Sequence, residues 1–121
     1  MEKKKLIIIA TYADDNSEKA TLPFVVGTAA LASEIDVTIA LQSNAVHLAT
    51  KGFARHLRTE GFPPFKELLD NFLSLGGRLY VCGPCINNRQ IVAADLIEGA
   101  KIVNATALSA ELVESDAQLS Y

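Results

Sequence analysis

Arg78-Leu79-Tyr80-Val81-Cys82-Gly83-Pro84-Cys85-Ile86-Asn87-Asn88-Arg89 is the stretch on which the fold turns. A short apolar run ends on a cysteine, Gly-Pro makes a sharp turn, and a second cysteine enters a predicted helix. Pro84 suits the first turn of that helix, where a missing N–H leaves no bond unmade. A strand that passes directly into a helix is the repeating unit of an α/β protein. These are the only two cysteines in 121 residues, and they stand three positions apart. A cysteine at such a turn faces the positive end of the helix dipole, which favours thiolate, the reactive form.

Working outward, the same alternation fills the chain. Residues 6–10, Leu-Ile-Ile-Ile-Ala, are continuous and β-branched, the mark of a strand buried on both faces of a parallel sheet. A polar loop containing Asp14 and Asp15 follows. The pattern then predicts a helix over about 21–33, with Pro23 in its first turn and Leu22, Val25, Val26, Ala29 and Ala30 on one face. Residues 36–41 are a second strand, and 45–51 a short helix stopped by Gly52. Residues 53–64 have no clear period and hold one glycine and two prolines, so they read as irregular with room for one helical turn. A helix over 65–75 keeps strict apolar spacing between Pro63-Pro64 and Gly76-Gly77. Strand 79–82, a helix to about 90–92, strand 100–103, a helix capped at Asn104 or Thr106, and strand 117–121 complete the series. With no repeat or linker, residues 1–121 read as a single domain. The fold class is α/β, a mainly parallel five-stranded sheet with helices on both faces. Right-handed crossovers would bring the loops at 11–17, 42–47 and 82–85 to one edge, where sites in open sheets form.

Composition narrows the function. Half of the residues are apolar, enough for a core without disulfide staples. A net charge of -3 and a pI near 5.3 argue against a nucleic-acid partner and an anionic membrane surface. Lys3, Lys4 and Lys5 read as a solvated tail, and no apolar run is long enough to span a bilayer or form a signal peptide. A cytoplasmic location is expected. Two cysteines in that reducing compartment suggest redox, sulfur or metal chemistry more than a structural bridge.

The ordered series of segments resembles the DsrE/DsrF/TusD-like family of small sulfur-relay proteins from end to end. The resemblance is carried by the first strand with its Asp-containing loop, the Ala-rich first helix, and Val37-Thr38-Ile39 followed by Asn44-Ala45-Val46. It continues through Gly77 to Cys82, then Asp95-Leu96-Ile97-Glu98-Gly99-Ala100-Lys101-Ile102-Val103, and the last helix and strand. It implies a flavodoxin-like three-layer α/β/α subunit, assembled as a homo-oligomer, a trimer or hexamer. It also implies that Cys82 carries a persulfide and exchanges sulfur with a donor or acceptor protein, with Arg89 as the family's basic residue in the following helix. Ala45 stands where the family has glycine, and Cys85 has no counterpart in the best-known relay members.

Each candidate residue also has a plainer reading. Cys82 is a thiolate nucleophile or a small apolar residue at a strand end. Cys85 is a resolving thiol or a packed helix residue. Cys-Gly-Pro-Cys repeats the thioredoxin motif. However, Val81 stands in place of an aromatic residue, no proline follows Pro84, and the pair follows the third strand, so the thioredoxin fold is excluded. Asn44 lies in the turn after the second strand. His47 is a proton shuttle on the same edge or a surface histidine, and Tyr12 would cover the site from the first loop. Asp14 and Asp15 read as a solvated turn. The cysteines with His47 and His56 could bind zinc, but their spacing is not that of a finger, and no phosphate-binding glycine pattern is present. No metal and no cofactor are therefore expected. Three functions remain: a sulfur carrier of sulfurtransferase type on Cys82, a thiol–disulfide redox protein using Cys82 and Cys85, and a non-enzymatic oligomeric scaffold or binder.

Overall fold

The computed structural model describes residues 2–121. Among them the elements run β1 (Lys5–Ala10), α1 (Ser17–Ala32), β2 (Asp36–Leu41), α2 (Phe65–Ser74), β3 (Arg78–Cys82), α3 (Gly83–Asn88), β4 (Ala100–Val103), α4 (Ala105–Glu114) and β5 (Ala117–Ser120). The five strands form one sheet in the order β4-β3-β2-β1-β5, with every neighbouring pair parallel. Four strands step one way across the sheet, and the last connection returns to the outer side of β1. Right-handed crossovers then put α1, α2 and α3 on one face and α4 on the other. This is the expected three-layer α/β/α arrangement. The strand beyond β1 is β5, where the flavodoxin order 2-1-3-4-5 has β2.

Strand parity divides the interior. Ile8, Ile39 and Leu79 lie in register across three strands, as do Ala10, Leu41 and Val81 one step on. These rows meet Phe24 of α1, Phe65 and Phe72 of α2, and Ile86 of α3 in the main core. The alternate residues, including Ala40, Tyr80 and Val103, form a smaller cluster under Leu108 of α4. Phe24 takes both α2 rings edge to face, with centroids 4.9 Å from Phe65 and 5.5 Å from Phe72. The Phe72 ring is wholly buried between two glycines. A Cβ on Gly27 would come within 3.1 Å of it, and one on Gly77 would overlap it outright.

Some boundaries differ from the sequence reading, each for a local reason. Helix α1 starts a turn early because Asn16 caps it, its side chain accepting from the Lys19 N–H at 3.1 Å. Pro23 therefore lies in the helix interior and not in the first turn. The face of α1 against the sheet is Ala20, Phe24 and Gly27, all fully buried. Leu22, Val25 and Val26 are only half-buried, and Ala29 is exposed. The turn after β2 is a 3-10 helix over Ser43–Ala49, which begins two residues before the expected helix. Helix α3 is shorter than expected, because Gln90 takes a left-handed conformation (φ 58°) just past its end.

Gly77→Ala is expected to lower stability by about 3 kcal/mol, because the added methyl must displace a buried ring. Gly61→Ala, at φ 89° with open space around it, should cost about 1 kcal/mol from backbone conformation alone. Chemical denaturation of both variants checks the contrast, and equal losses would mean that Phe72 moves aside.

Candidate functional site

Cys82 is the last residue of β3 and the N-cap of α3. Its extended backbone (φ -63°, ψ 117°) turns directly into the helix at Gly83-Pro84, so the sulfur lies over the first turn. There Cys82 Sγ accepts the Cys85 N–H at 3.3 Å. Three residues of a capped turn bring the two Cα atoms to 5.2 Å, and the thiols are joined as a disulfide. A Cβ on Gly83 would meet Ile102 and the Val103 carbonyl of β4 at ordinary contact distance, so the turn lies beside that strand.

The second sulfur has a donor of its own. The Ser43 N–H reaches Cys85 Sγ at 3.3 Å. Ser43 is left-handed (φ 53°), a conformation that L-residues other than Asn, Asp or Gly seldom adopt. Ser43 stands two residues past the last residue of β2, and this reversed backbone aims its N–H across the edge at α3. Asn44 is next to it, and its Oδ1 accepts from Arg89 Nη2 at 3.1 Å. The other arm of the same guanidinium donates to the Cys85 carbonyl at 3.2 Å. Arg89 thus bolts the end of α3 to the turn after β2. Its two hydrogen bonds go to a carbonyl and an amide oxygen, and they position the turn.

Asp15 approaches from the first loop. The Ala13 N–H, donating to its Oδ1 at 2.8 Å, holds that carboxyl below the ordinary carboxylate range, burial opposes the effect slightly, and the Asn44 side chain adds to the lowering. The loops after β1, β2 and β3 therefore do meet on one edge. The sequence reading had treated Asp15 as a solvated turn residue, and it had not singled out Ser43. Nothing in a serine side chain marks a residue that acts through its backbone.

Two other candidates share the edge without joining this network. The Tyr12 ring packs against the main core and carries the Lys19 ammonium 5.2 Å from its centroid. The His47 ring stacks on Phe53, with centroids 5.9 Å apart and planes 26° apart. Among the described residues neither side chain hydrogen-bonds to the cysteines, Ser43, Asn44 or Arg89. His56 is exposed on a 3-10 turn, and no cluster of three or more His, Cys, Asp and Glu suited to a metal occurs among the described residues. The strand order reverses between β1 and β5, where the Thr11 N–H and hydroxyl both donate to the Tyr121 carbonyl, at 3.1 and 2.7 Å. The cysteines stand away from that crevice, on β3.

On the α4 face, Tyr80 donates its hydroxyl to Glu111 at 3.2 Å. Burial, with Glu111 beside it, pushes the ionisation of this phenol above its ordinary value.

Comparison with known proteins agrees with this architecture. A model of the DsrE/DsrF-like family matches residues 4–121. The uncharacterized protein MJ0989 of Methanocaldococcus jannaschii is 35% identical over 117 residues, which cover 97% of this chain and 99% of that protein. The crystal structure of ychN protein from E. coli superposes with a TM-score of 0.82 at 22% identity, covering 98% of this chain and 99% of that one. A protein of unknown function, MTH1491 from Methanobacterium thermoautotrophicum, gives a TM-score of 0.73 at 13% identity over 99% of this chain and all of its own. At these identities the two structures speak for the fold alone.

Removing the guanidinium should loosen the turn that aims Ser43 at Cys85. In Arg89→Ala, closure of the Cys82–Cys85 disulfide from the reduced protein is expected to slow about tenfold. Arg89→Lys should recover only part of the loss, since an ammonium does not reproduce the two-armed fork. Stopped-flow oxidation with dilute oxidised glutathione measures this, and an unchanged rate in Arg89→Ala would remove Arg89 from the site.

Proposed function

The chain belongs to the DsrE/DsrF-like family, and on that premise we propose that it is a small sulfur carrier of the sulfurtransferase kind, with Cys82 as the persulfide-bearing thiol. The observation that carries the reading is the position of Cys82. It ends a core strand, caps the next helix, and receives a backbone N–H on its sulfur. A thiolate there is stabilised before any substrate arrives. It attacks the outer sulfur of a persulfide, R–S–SH. The bond between the two sulfurs breaks, Cys82–S–SH forms, and R–S⁻ leaves.

Cys85 gives the carrier a second outcome. Its thiolate, with the Ser43 N–H on its sulfur, is close enough to attack the inner sulfur of the Cys82 persulfide. That step closes the disulfide and expels HS⁻, and an outside dithiol must then reduce the pair before the next cycle. The disulfide also supports the alternative reading, in which the pair exchanges electrons with other dithiols and no sulfane sulfur is carried. We assign the protein to the cytoplasm, where such a pair would be transient and chemical instead of structural. No helix among the described residues is long and apolar enough to cross a membrane. A donor or acceptor protein is the expected partner for at least one exchange.

A homo-oligomer, a trimer or hexamer, belongs to the same proposal. Residues 20–33 carry no charge, yet only one side of α1 meets the sheet. The half-buried stripe of Leu22, Val25 and Val26 beside exposed Ala29 suits contact with a second copy.

Intact-mass analysis after incubation with a persulfide donor separates the two chemical readings. Cys85→Ser should gain one sulfur atom and keep it, Cys82→Ser should gain none, and the parent should release sulfide as its disulfide closes. Reversible disulfide formation in the parent with no sulfur gained by Cys85→Ser would leave the redox reading in its place. For assembly, Val25→Glu is expected to reduce the sedimentation mass with the circular dichroism spectrum unchanged. A parent protein that sediments as a monomer would contradict the α1 interface.

A further inference from the structure

A cavity of about 170 Å³ opens between α4 and the sheet at the edge where the strands end, and Cys82 forms part of its wall. Its origin can be traced through the sequence. Cys82 lies two residues beyond Tyr80 and lines the cavity with it, while at the strand's end it also packs against the edge of the main core. Ala40 on β2 and Ala105 at the start of α4 are too small to fill the space between the layers, and Val103 and Leu108 supply aliphatic walls. The Tyr80 hydroxyl is already committed to Glu111. No Asp, Glu, Lys, Arg or His lines the cavity. The whole arrangement is an uncharged, mostly aliphatic recess with Cys82 in its wall and a few neutral polar groups, the usual character of a small-ligand pocket.

We infer that this recess receives the uncharged apolar arm of a small organic persulfide or disulfide and holds its sulfur against Cys82. The inference rests on Cys82 being the exchanging thiol, and it names the chemical class of one of the two species with which a carrier must exchange. Size and charge select that class. An apolar cavity of about 150 Å³ accommodates benzene, so this one suits an arm of roughly six non-hydrogen atoms. Each buried methylene favours binding, whereas a carboxylate or ammonium would lose its hydration with no opposite charge in the wall to replace it. In the exchange the Cys82 thiolate attacks the outer sulfur of R–S–SH, the S–S bond of the donor breaks, and R–S⁻ departs from the recess and takes a proton from water. The outer sulfur keeps its hydrogen on Cys82, and no external oxidant or reductant enters the step.

Alkyl methanethiosulfonates test this directly, because they share one leaving group and differ only in the arm. The Cys82 thiolate attacks the sulfenyl sulfur, the S–SO₂ bond breaks, and methanesulfinate leaves. The protein is reduced full-length Cys85→Ser, and rates are normalised to a short unstructured cysteine peptide. The butyl reagent should modify Cys82 about tenfold faster than both the 2-sulfonatoethyl and the 2-trimethylammonioethyl reagents. Adding Ala105→Leu or Ser109→Leu, both exposed on the pocket side of α4, should reduce that preference to about twofold or less. Adding Val113→Ser, on an exposed part of the helix outside the recess, should leave it intact. Equal normalised rates for all three reagents would overturn the recess as a substrate site while leaving Cys82 a reactive thiol. A preference for the cationic reagent alone would also overturn it, since that would report the overall charge of -3. If none of the reagents modifies Cys82 in the folded protein, the carrier reading fails first and this inference falls with it.

Discussion

The site depends on the packing of one ring. Phe72 fills a slot between Gly27 of α1 and Gly77, the residue before β3, with Phe24 against its edge. Because the slot leaves no room for a methyl group at Gly77, it fixes where β3 begins. Five residues later the strand ends at Cys82. A sheet cannot slip by one residue without turning every side chain to the opposite face. With Leu79 and Val81 buried in the main core, Tyr80 must face the other way, and Cys82, at the strand's end, borders both the main core and the α4 side. Phe72 thus sets, at a distance, where β3 ends and the cysteine turn begins.

Packing supplies the direction of β3, and hydrogen bonds supply the precision at its end. The turn holding the cysteines contains six helical residues, of which Ile86 is the buried one. Such a short helix cannot hold its own geometry. Its order comes from outside: Cys82 caps it, Arg89 ties its last turn to Asn44, and the Ser43 N–H meets the Cys85 sulfur. The left-handed backbone at Ser43 is unfavourable by about 1–2 kcal/mol for an L-residue. The Ala45, Val46 and Leu48 side chains that follow are fully buried and hold that turn in place. A conformation that is poor by itself is thereby kept because the core next to it is good.

How much of this was legible beforehand follows from the range of each interaction. Strands 36–41 and 100–103 and the helix over 65–75 could be read from the sequence because period and capping are local signals. The meeting of the loops after β1, β2 and β3 on one edge also followed, since right-handed crossovers are general. The place of β5 beyond β1 was not readable, because it depends on a crossover that spans the sheet. For α1 the apolar stripe was visible, but its assignment to the core was not secure. Residues 20–33 are uncharged on every side, so periodicity had no polar face to work from. Burial settled on Phe24 and Gly27 because Phe72 needs the gap that only glycine leaves. Asp15 and Ser43 were illegible for another reason: one is held by a backbone N–H from its own loop and the other acts through its backbone, and neither leaves a mark in residue type.

The two sulfurs of Cys-Gly-Pro-Cys finish in different surroundings, and that difference follows from where the chain changes from strand to helix. Cys82 ends the strand, lining an uncharged recess beneath α4 while also touching the edge of the main core. Cys85 obeys helix geometry and comes round to the polar turn at Ser43 and Asn44. A dithiol placed wholly on a strand or wholly on a helix would not be divided in this way, since each element repeats its own faces. The two cysteines of the motif thus answer to different local geometry, one set by the end of a strand and the other by the first turn of a helix.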